Sequence, residues 1–285
     1  MLYRVAASHD WANYPPATSL ALASSSVPFT INGSEVVTHA QASGTSAFTY
    51  TLANSGKVPL ENVQLTAAAP ASWTVTPTSP NSKGSLASNG TFSTSWSLQV
   101  PPDTSPDTYP LAVHASYTYA EGTRSGTASS TGIMPVVLPA PSGTTPLSDV
   151  AWVSESNGCG PLLKDQSNGG CTGAGQPLTI RGDVYPKGLG AHAPSDIVYY
   201  LGRNCSSLTT DVGIDDEVGG QGEVTFQIFA DDAKVADSGA VTGTSPVVTL
   251  SADLTGATWL LLHIDPDGAN FFDHSDWAGP ELTCT

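Results

Sequence analysis

The sequence predicts an all-β protein built from two sandwich domains, and three observations predict it. Gly and Pro number 28 and 22 among 285 residues while only 12% are charged, so strong helix formers are scarce and turn formers frequent. The clearest hydrophobic periodicity is two, the period of a strand with one face in a core. Charge and cysteine usage change together near residue 139. Residues 1–138 carry four basic and six acidic side chains and no cysteine. Residues 139–285 carry five basic and nineteen acidic ones, and all four cysteines.

Taken in order, Met1 to Val5 reads as the last strand of a preceding domain, and residues 1–19 as its remnant with a linker. Residues 20–138 form the first domain. Phe92, Trp96, Leu98 and Val100 share one face of a strand, and Tyr109, Leu111, Val113, Ala115, Tyr117 and Tyr119 one face of another. Further strands are expected near 27–32, 45–53, 60–67, 72–76 and 124–137, separated by turns such as Asn54-Ser55-Gly56, Pro77 to Pro80 and Asn89-Gly90. That succession describes an immunoglobulin-like sandwich. Residues 139–147 (PAPSGTTPL) have the composition of a semi-extended linker. Residues 148–285 form the second domain. There Val224, Phe226, Ile228 and Ala230 alternate, and residues 258–264 (TWLLLHI) read as a strand buried on both faces. Its long Gly-rich acidic loops, at 157–171, 213–223 and 265–277, are where a sandwich builds binding sites.

The charge balance excludes some partners. The net charge is −16, of which the second half carries −14, so phosphate backbones and anionic membranes are repelled and nucleic acid is not expected. No apolar run approaches the about 20 residues of a membrane span. Cys159, Cys171, Cys205 and Cys284 lack a zinc-binding spacing, and an even set in one domain reads as two disulfides in an oxidising, extracellular setting. Of three connectivities, Cys159 with Cys171 across a Gly-rich loop and Cys205 with Cys284 at the chain end is preferred. The N-terminus carries no signal peptide, so an exported chain of this kind reads as part of something longer.

Four stretches of the second half carry a resemblance: YPKGLGAHAPSDIVYYL (185–201), DVGIDDEVGGQGEVTFQIFADD (211–232), DLTGATWLLLHIDPDG (253–268) and FDHSDWAGPEL (272–282). In this order they resemble the NPCBM domain, also called carbohydrate-binding module family 51. The first half is similar to the NEW3 domain of α-galactosidases, through Asn54-Ser55-Gly56, Pro70, Trp73, Thr76-Pro77, Val100-Pro101 and Tyr109. The initial LYRV resembles the end of the β-domain of family 27 glycoside hydrolases. The resemblance implies a galactose-binding-like jelly roll for the second domain, binding of terminal galactose or related sugars, a parent glycoside hydrolase as neighbour, and often a structural Ca2+. It implies no catalysis within the chain.

A sugar ring offers an apolar face and a fringe of hydroxyls, so the site residues sought are aromatic platforms and fixed polar groups. His192, after Gly188 and Gly190, is the first candidate, set against a reading in which it merely anchors a loop. Trp277, which ends an acidic loop, and Trp152, in the domain's first strand, are candidate platforms. Phe271 and Phe272 are adjacent, so one faces outward, and Phe272 is taken as a contact. Asp215 is a candidate for hydroxyl recognition, whereas Asp216 and Glu217 read as a solvated turn. Asp267, Asp273 and Asp276 are the candidates for calcium, although the loop lacks EF-hand spacing. Two other readings are kept: a stand-alone glycoside hydrolase, and a spacer pair without ligand. The first needs a buried, raised carboxyl opposite a second one in a cleft, which acids in exposed turns do not supply.

Overall fold

The computed structural model describes residues 16–23 and 29–285 and divides after Val136 into two compact units. The expected strand at Met1 to Val5 lies outside the described residues.

In the first unit the strands are β1 (Thr18–Leu22), β2 (Thr30–Ile31), β3 (Ser34–Glu35), β4 (Thr45–Asn54), β5 (Leu60–Ala68), β6 (Thr74–Pro77), β7 (Ser82–Leu86), β8 (Thr91–Gln99), β9 (Asp107–Tyr119) and β10 (Arg124–Val136). Eight of them form two antiparallel sheets, β1-β4-β8-β6 and β10-β9-β5-β7, and β2 pairs with β3 as a separate two-stranded sheet. The period-two residues meet between them: Phe48, Tyr50, Leu52, Trp96 and Leu98 from one sheet, and Leu65, Leu111, Val113, Ala115 and Met134 from the other. Phe48 and Trp96 face each other in register and stack at 5.4 Å, and burying a large apolar side chain of this kind contributes roughly 1.5–3 kcal/mol. Two details depart from the sequence reading. Thr18 and Ser19 belong to β1, which pairs with β4 and packs Leu20 and Leu22 on the core, so they are not remnant or linker. β7 is an additional strand; only its Leu86 is buried, which leaves no alternation to see.

In the second unit the strands are β11 (Gly143–Pro146), β12 (Ser154–Asn157), β13 (Leu163–Lys164), β14 (Leu178–Ile180), β15 (Asp183–Tyr185), β16 (Gly188–His192), β17 (Ser195–Tyr200), β18 (Cys205–Ile214), β19 (Glu223–Ala230), β20 (Ala233–Thr242), β21 (Val248–Asp253), β22 (Trp259–Pro266) and β23 (His274–Cys284). One main sheet runs β13-β16-β23-β18-β21, with β11 also paired to β23; the other runs β12-β17-β22-β19-β20, and β14 pairs with β15 as a separate two-stranded sheet. Leu189, Val212, Trp277 and Leu282 of the first sheet pack with Ile197, Tyr199, Phe226, Ile228, Leu260, Leu262 and Ile264 of the second. The expected linker at 139–147 is therefore shorter, because Gly143 to Pro146 pair with Glu281 to Cys284. The 258–264 run is not buried on both faces either: Leu260, Leu262 and Ile264 are in the core, while Leu261 and His263 are half-exposed.

Both preferred disulfides are present. Cys205–Cys284 joins β18 to the end of β23, and Cys159–Cys171 fastens the loop between β12 and β14. No helix among the described residues is long and apolar enough to cross a membrane.

Candidate functional site

At one rim of the second sandwich, β16 ends and β23 begins, and their terminal residues, His192 and His274, are paired in register. Their rings lie 5.3 Å apart. The His192 backbone N–H donates to Asn157 Oδ1 at 2.7 Å, and its ring Nδ1 lies 2.8 Å from the Ala193 carbonyl oxygen. A carbonyl oxygen only accepts, so Nδ1 carries the hydrogen of this bond. His274 is held in the same way, its Nδ1 donating to Glu217 Oε1 at 2.6 Å. Two imidazoles thus stand side by side with their Nδ1 positions spent on the protein, His192 buried at 6% exposure and the His274 side chain 17% exposed.

Glu217 is the centre of this arrangement. Its Oε2 accepts from Ser167 Oγ at 2.8 Å, and its Oε1 also accepts from the Gly169 N–H at 3.0 Å, so one carboxylate ties the disulfide-bearing loop to β23. Its side chain is 18% exposed although the residue as a whole is open to solvent, so the expected solvated turn holds for the backbone and not for the carboxylate. Asp216 is likewise anchored, accepting from the Arg181 and Gly182 N–H groups at 3.0 and 2.7 Å. Asp215 is buried, with Oδ2 accepting from Thr179 N–H at 2.9 Å and Oδ1 from Glu217 N–H at 2.8 Å. It caps the short 3-10 turn Asp216–Val218 and thereby positions Glu217; recognition of a hydroxyl by Asp215 itself does not fit that placement.

The glycines before His192 serve the protein. A Cβ on Gly190 would lie 2.2 Å from the Gln166 carbonyl oxygen, so the lack of a side chain admits the loop that carries Ser167, not a ligand.

The tryptophans are not platforms at this rim. Trp277 is fully buried in β23, opposite Leu189 and Val212, with its ring edge-on to Phe226 at 5.1 Å. Trp152 precedes β12, at the other end of that strand from Asn157; it is half-buried against the core, and Lys164 Nζ sits 4.6 Å from its ring centre. Among the described residues the large exposed aromatic side chains are Phe271, 72% open, and Phe272, 48% open, immediately before Asp273 and His274.

Asp273 is buried and accepts from the Glu223 N–H at 3.1 Å; burial pushes its carboxyl above the usual range, opposed by that N–H and by the His192 and His274 rings. Asp276 is completely buried, and burial, with the Asp215, Glu217 and Asp216 charges beside it, holds its carboxyl well above the usual range. Asp267 lies on the exposed loop and accepts from Thr225 Oγ1 at 2.7 Å. The three do not form one ligand set for calcium, and among the described residues no three His, Cys, Asp or Glu side chains are grouped to hold a metal ion.

Asn157, Ser167, Glu217 and His274 are the site residues that the sequence reading missed. His274 stands inside the FDHSDW stretch singled out for resemblance, but its partner Glu217 is 57 residues away and no local signal joins them.

Comparison with known proteins places these two units. Residues 143–283 match the model of the NPCBM/NEW2 domain, and residues 40–118 that of the NPCBM-associated NEW3 domain of alpha-galactosidase. A curated relative from Renibacterium salmoninarum, named as an endo-alpha-N-acetylgalactosaminidase, is 34% identical over 280 residues, which is 96% of this chain but 18% of that protein. The chain thus spans under a fifth of the relative it matches. Among solved structures, the CBM51 module of Clostridium perfringens GH95 in complex with methyl-galactose is 33% identical, covering 49% of this chain and 99% of that one with a TM-score of 0.44. Tandem CBM51 modules of a family 98 glycoside hydrolase from Streptococcus pneumoniae are 14% identical over 86% of this chain and 82% of that one, with a TM-score of 0.43. Neither matched family model is that of a catalytic domain. Residues 143–283 belong to the NPCBM/NEW2 domain family, and residues 40–118 to the NPCBM-associated NEW3 family.

Proposed function

We propose that the second unit binds a terminal sugar of the galactose type at the His192–His274 rim, outside the cell, as an accessory module of a glycoside hydrolase. The observation that carries this is the pair of fixed imidazoles 5.3 Å apart, each with Nδ1 engaged by the protein. Neighbouring ligand hydroxyls hydrogen-bond to the two Nε2 atoms, and the exposed Phe271 and Phe272 supply an apolar surface for the ring. The galacto configuration is supported by both parents that the comparisons suggest: the NEW3 model is that of alpha-galactosidase, and the curated relative is named for N-acetylgalactosamine. The first unit serves as a spacer to the catalytic body. Disulfides in the second unit agree with an oxidising compartment.

Titration of the chain with methyl galactoside, alongside a panel of galactose-, fucose- and arabinose-terminated glycans, tests the reading. Binding is expected for the galactose-terminated set and is lost in His192→Ala while the variant still unfolds cooperatively. Absence of binding to every glycan in the panel by the folded chain refutes it.

A further inference from the structure

The outer face of the sheet β12-β17-β22-β19-β20 plays no part in the rim site, yet it is arranged in chemically distinct rows. Register places Val198, Leu261 and Phe229 side by side across β17, β22 and β19, an apolar row. The next row along the strands is polar: Asp196, His263, Gln227 and Asp237, on β17, β22, β19 and β20. His263 Nδ1 lies 2.6 Å from Asp196 Oδ1, Gln227 Nε2 donates to Asp237 Oδ2 at 3.4 Å, and Lys234 pairs with Asp237. These polar side chains are accessible: Asp196 is 40% exposed and Lys234 44%. Val198 is buried at 3% exposure, so the open part of the apolar row is Leu261 and Phe229, both half-buried, and the Phe229 ring meets that of His263 edge-on at 6.4 Å.

We propose that this face is a second carbohydrate-binding surface, taking an uncharged oligosaccharide laid across the strands, with Phe229 and Leu261 under a ring face and the Asp196–His263–Gln227–Asp237 row beside its hydroxyls. An apolar row adjoining a polar one matches the two-sided character of a pyranose. At about 4.8 Å between strands, the polar row spans about 14 Å, longer than one sugar ring. Charge complementarity selects the neutral ligand. Both basic groups on the face, His263 and Lys234, are already paired with aspartates, and Asp265 follows in the next row, so an acidic chain finds no spare cation and several carboxylates. The rows instead offer donors and acceptors in alternation, which suits hydroxyl groups.

The test uses the full chain carrying His192→Ala, with two probes, methyl galactoside and a neutral galactose-containing tetrasaccharide, read by amide chemical-shift mapping. The tetrasaccharide is expected to perturb amides of β17, β19 and β22, and methyl galactoside is not. Phe229→Ala is expected to weaken tetrasaccharide binding about fivefold. Gln227→Ala, which removes no core contact, gives an independent loss if the phenylalanine variant melts early. Tetrasaccharide shifts confined to the rim loops in the unmutated chain, and absent from the His192→Ala chain, overturn the proposal. Failure of the rim reading is separate: it shows as methyl galactoside binding unaffected by His192→Ala, and the mapping on β17, β19 and β22 then still decides this one.

Discussion

Glu217 and His274, 57 residues apart in the chain, are joined by a 2.6 Å hydrogen bond from the ring Nδ1 to the carboxylate, and through it the loop fastened by Cys159–Cys171 is tied to the first residue of β23. The bond fixes both the orientation and the tautomer of His274, as a carboxylate beside an imidazole does at many sites. It makes Glu217 a positioning residue whose removal is felt by a ligand it need not touch.

Replacing Glu217 by Ala removes the acceptor of three bonds, to His274, Ser167 and Gly169. Hydrogen bonds to a charged group are each worth about 1.5–3 kcal/mol. Affinity for methyl galactoside is expected to fall at least about tenfold, with Glu217→Gln recovering part of it. Calorimetric titration of the two variants checks this, and equal affinity in all three proteins would show that His274 needs no such support.

The strands are legible in the sequence where one face alone is apolar, as in β4, β8 and β9, whose inward residues, among them Tyr50, Trp96 and Val113, sit at every second place. β7 is not, because SKGSL buries a single side chain. His192 is legible through its motif; the partnership of Glu217 with His274 is not, since it exists only once β18 and β23 are paired and the loop after β18 is folded back. Trp277 misleads for the same reason. Its place after an acidic loop suggests a rim, whereas strand register puts it opposite Leu189 and Val212 in the core.

That difference predicts opposite behaviour for two aromatic positions. Trp277→Ala is expected to cost about 3–5 kcal/mol of stability through the cavity it leaves. Phe271→Ala, at a side chain 72% exposed, is expected to change stability by no more than about 0.5 kcal/mol and to weaken sugar binding about fivefold. Urea denaturation beside titration separates the two effects; a stable Trp277→Ala chain that had lost only binding would reverse the assignment.

Asp276 predicts a pH dependence. Its carboxyl titrates well above the ordinary 3.8 because it is buried, so between that value and the raised one the folded chain holds a proton that the unfolded chain releases. Stability from this group therefore falls as pH rises through the window, by about 1.4 kcal/mol per pH unit. Asp276→Asn keeps the shape of the protonated acid and cannot ionise. It is expected to match the unmutated chain near the ordinary carboxyl value and to exceed it increasingly at higher pH. Parallel stability curves for the two proteins would mean that Asp276 does not change its protonation on unfolding.

The two disulfides differ in what they hold. Cys205–Cys284 closes 79 residues and Cys159–Cys171 closes 12, so on chain entropy their loss costs about 4.5 and about 3 kcal/mol. Replacing both Cys205 and Cys284 by Ala is expected to lower stability more while the surviving folded chain still binds sugar. Replacing Cys159 and Cys171 is expected to lower stability less and to weaken binding, because Ser167 and Gly169 lie inside that loop and grip Glu217. Denaturation midpoints and titrations on both double variants check the crossed pattern, and binding that survives loss of Cys159–Cys171 unchanged would refute it.

Gly190→Ala tests the same loop from the opposite side with a single methyl group. The added Cβ would fall 2.2 Å from the Gln166 carbonyl oxygen and 2.5 Å from the Ser167 carbonyl carbon, both backbone atoms that no side-chain rotation can clear. Overpacking of this kind costs about 1–3 kcal/mol. The strain is relieved if residues 166–168 move away from β16, which carries Ser167 off Glu217 and loosens the hold on His274. Sugar affinity is therefore expected to fall together with stability, and Glu217→Ala added to Gly190→Ala should weaken binding by less than it does alone, since both act on one linkage. Additive losses, measured by titration across the double-mutant cycle, would show that the loop and the imidazole pair are independent.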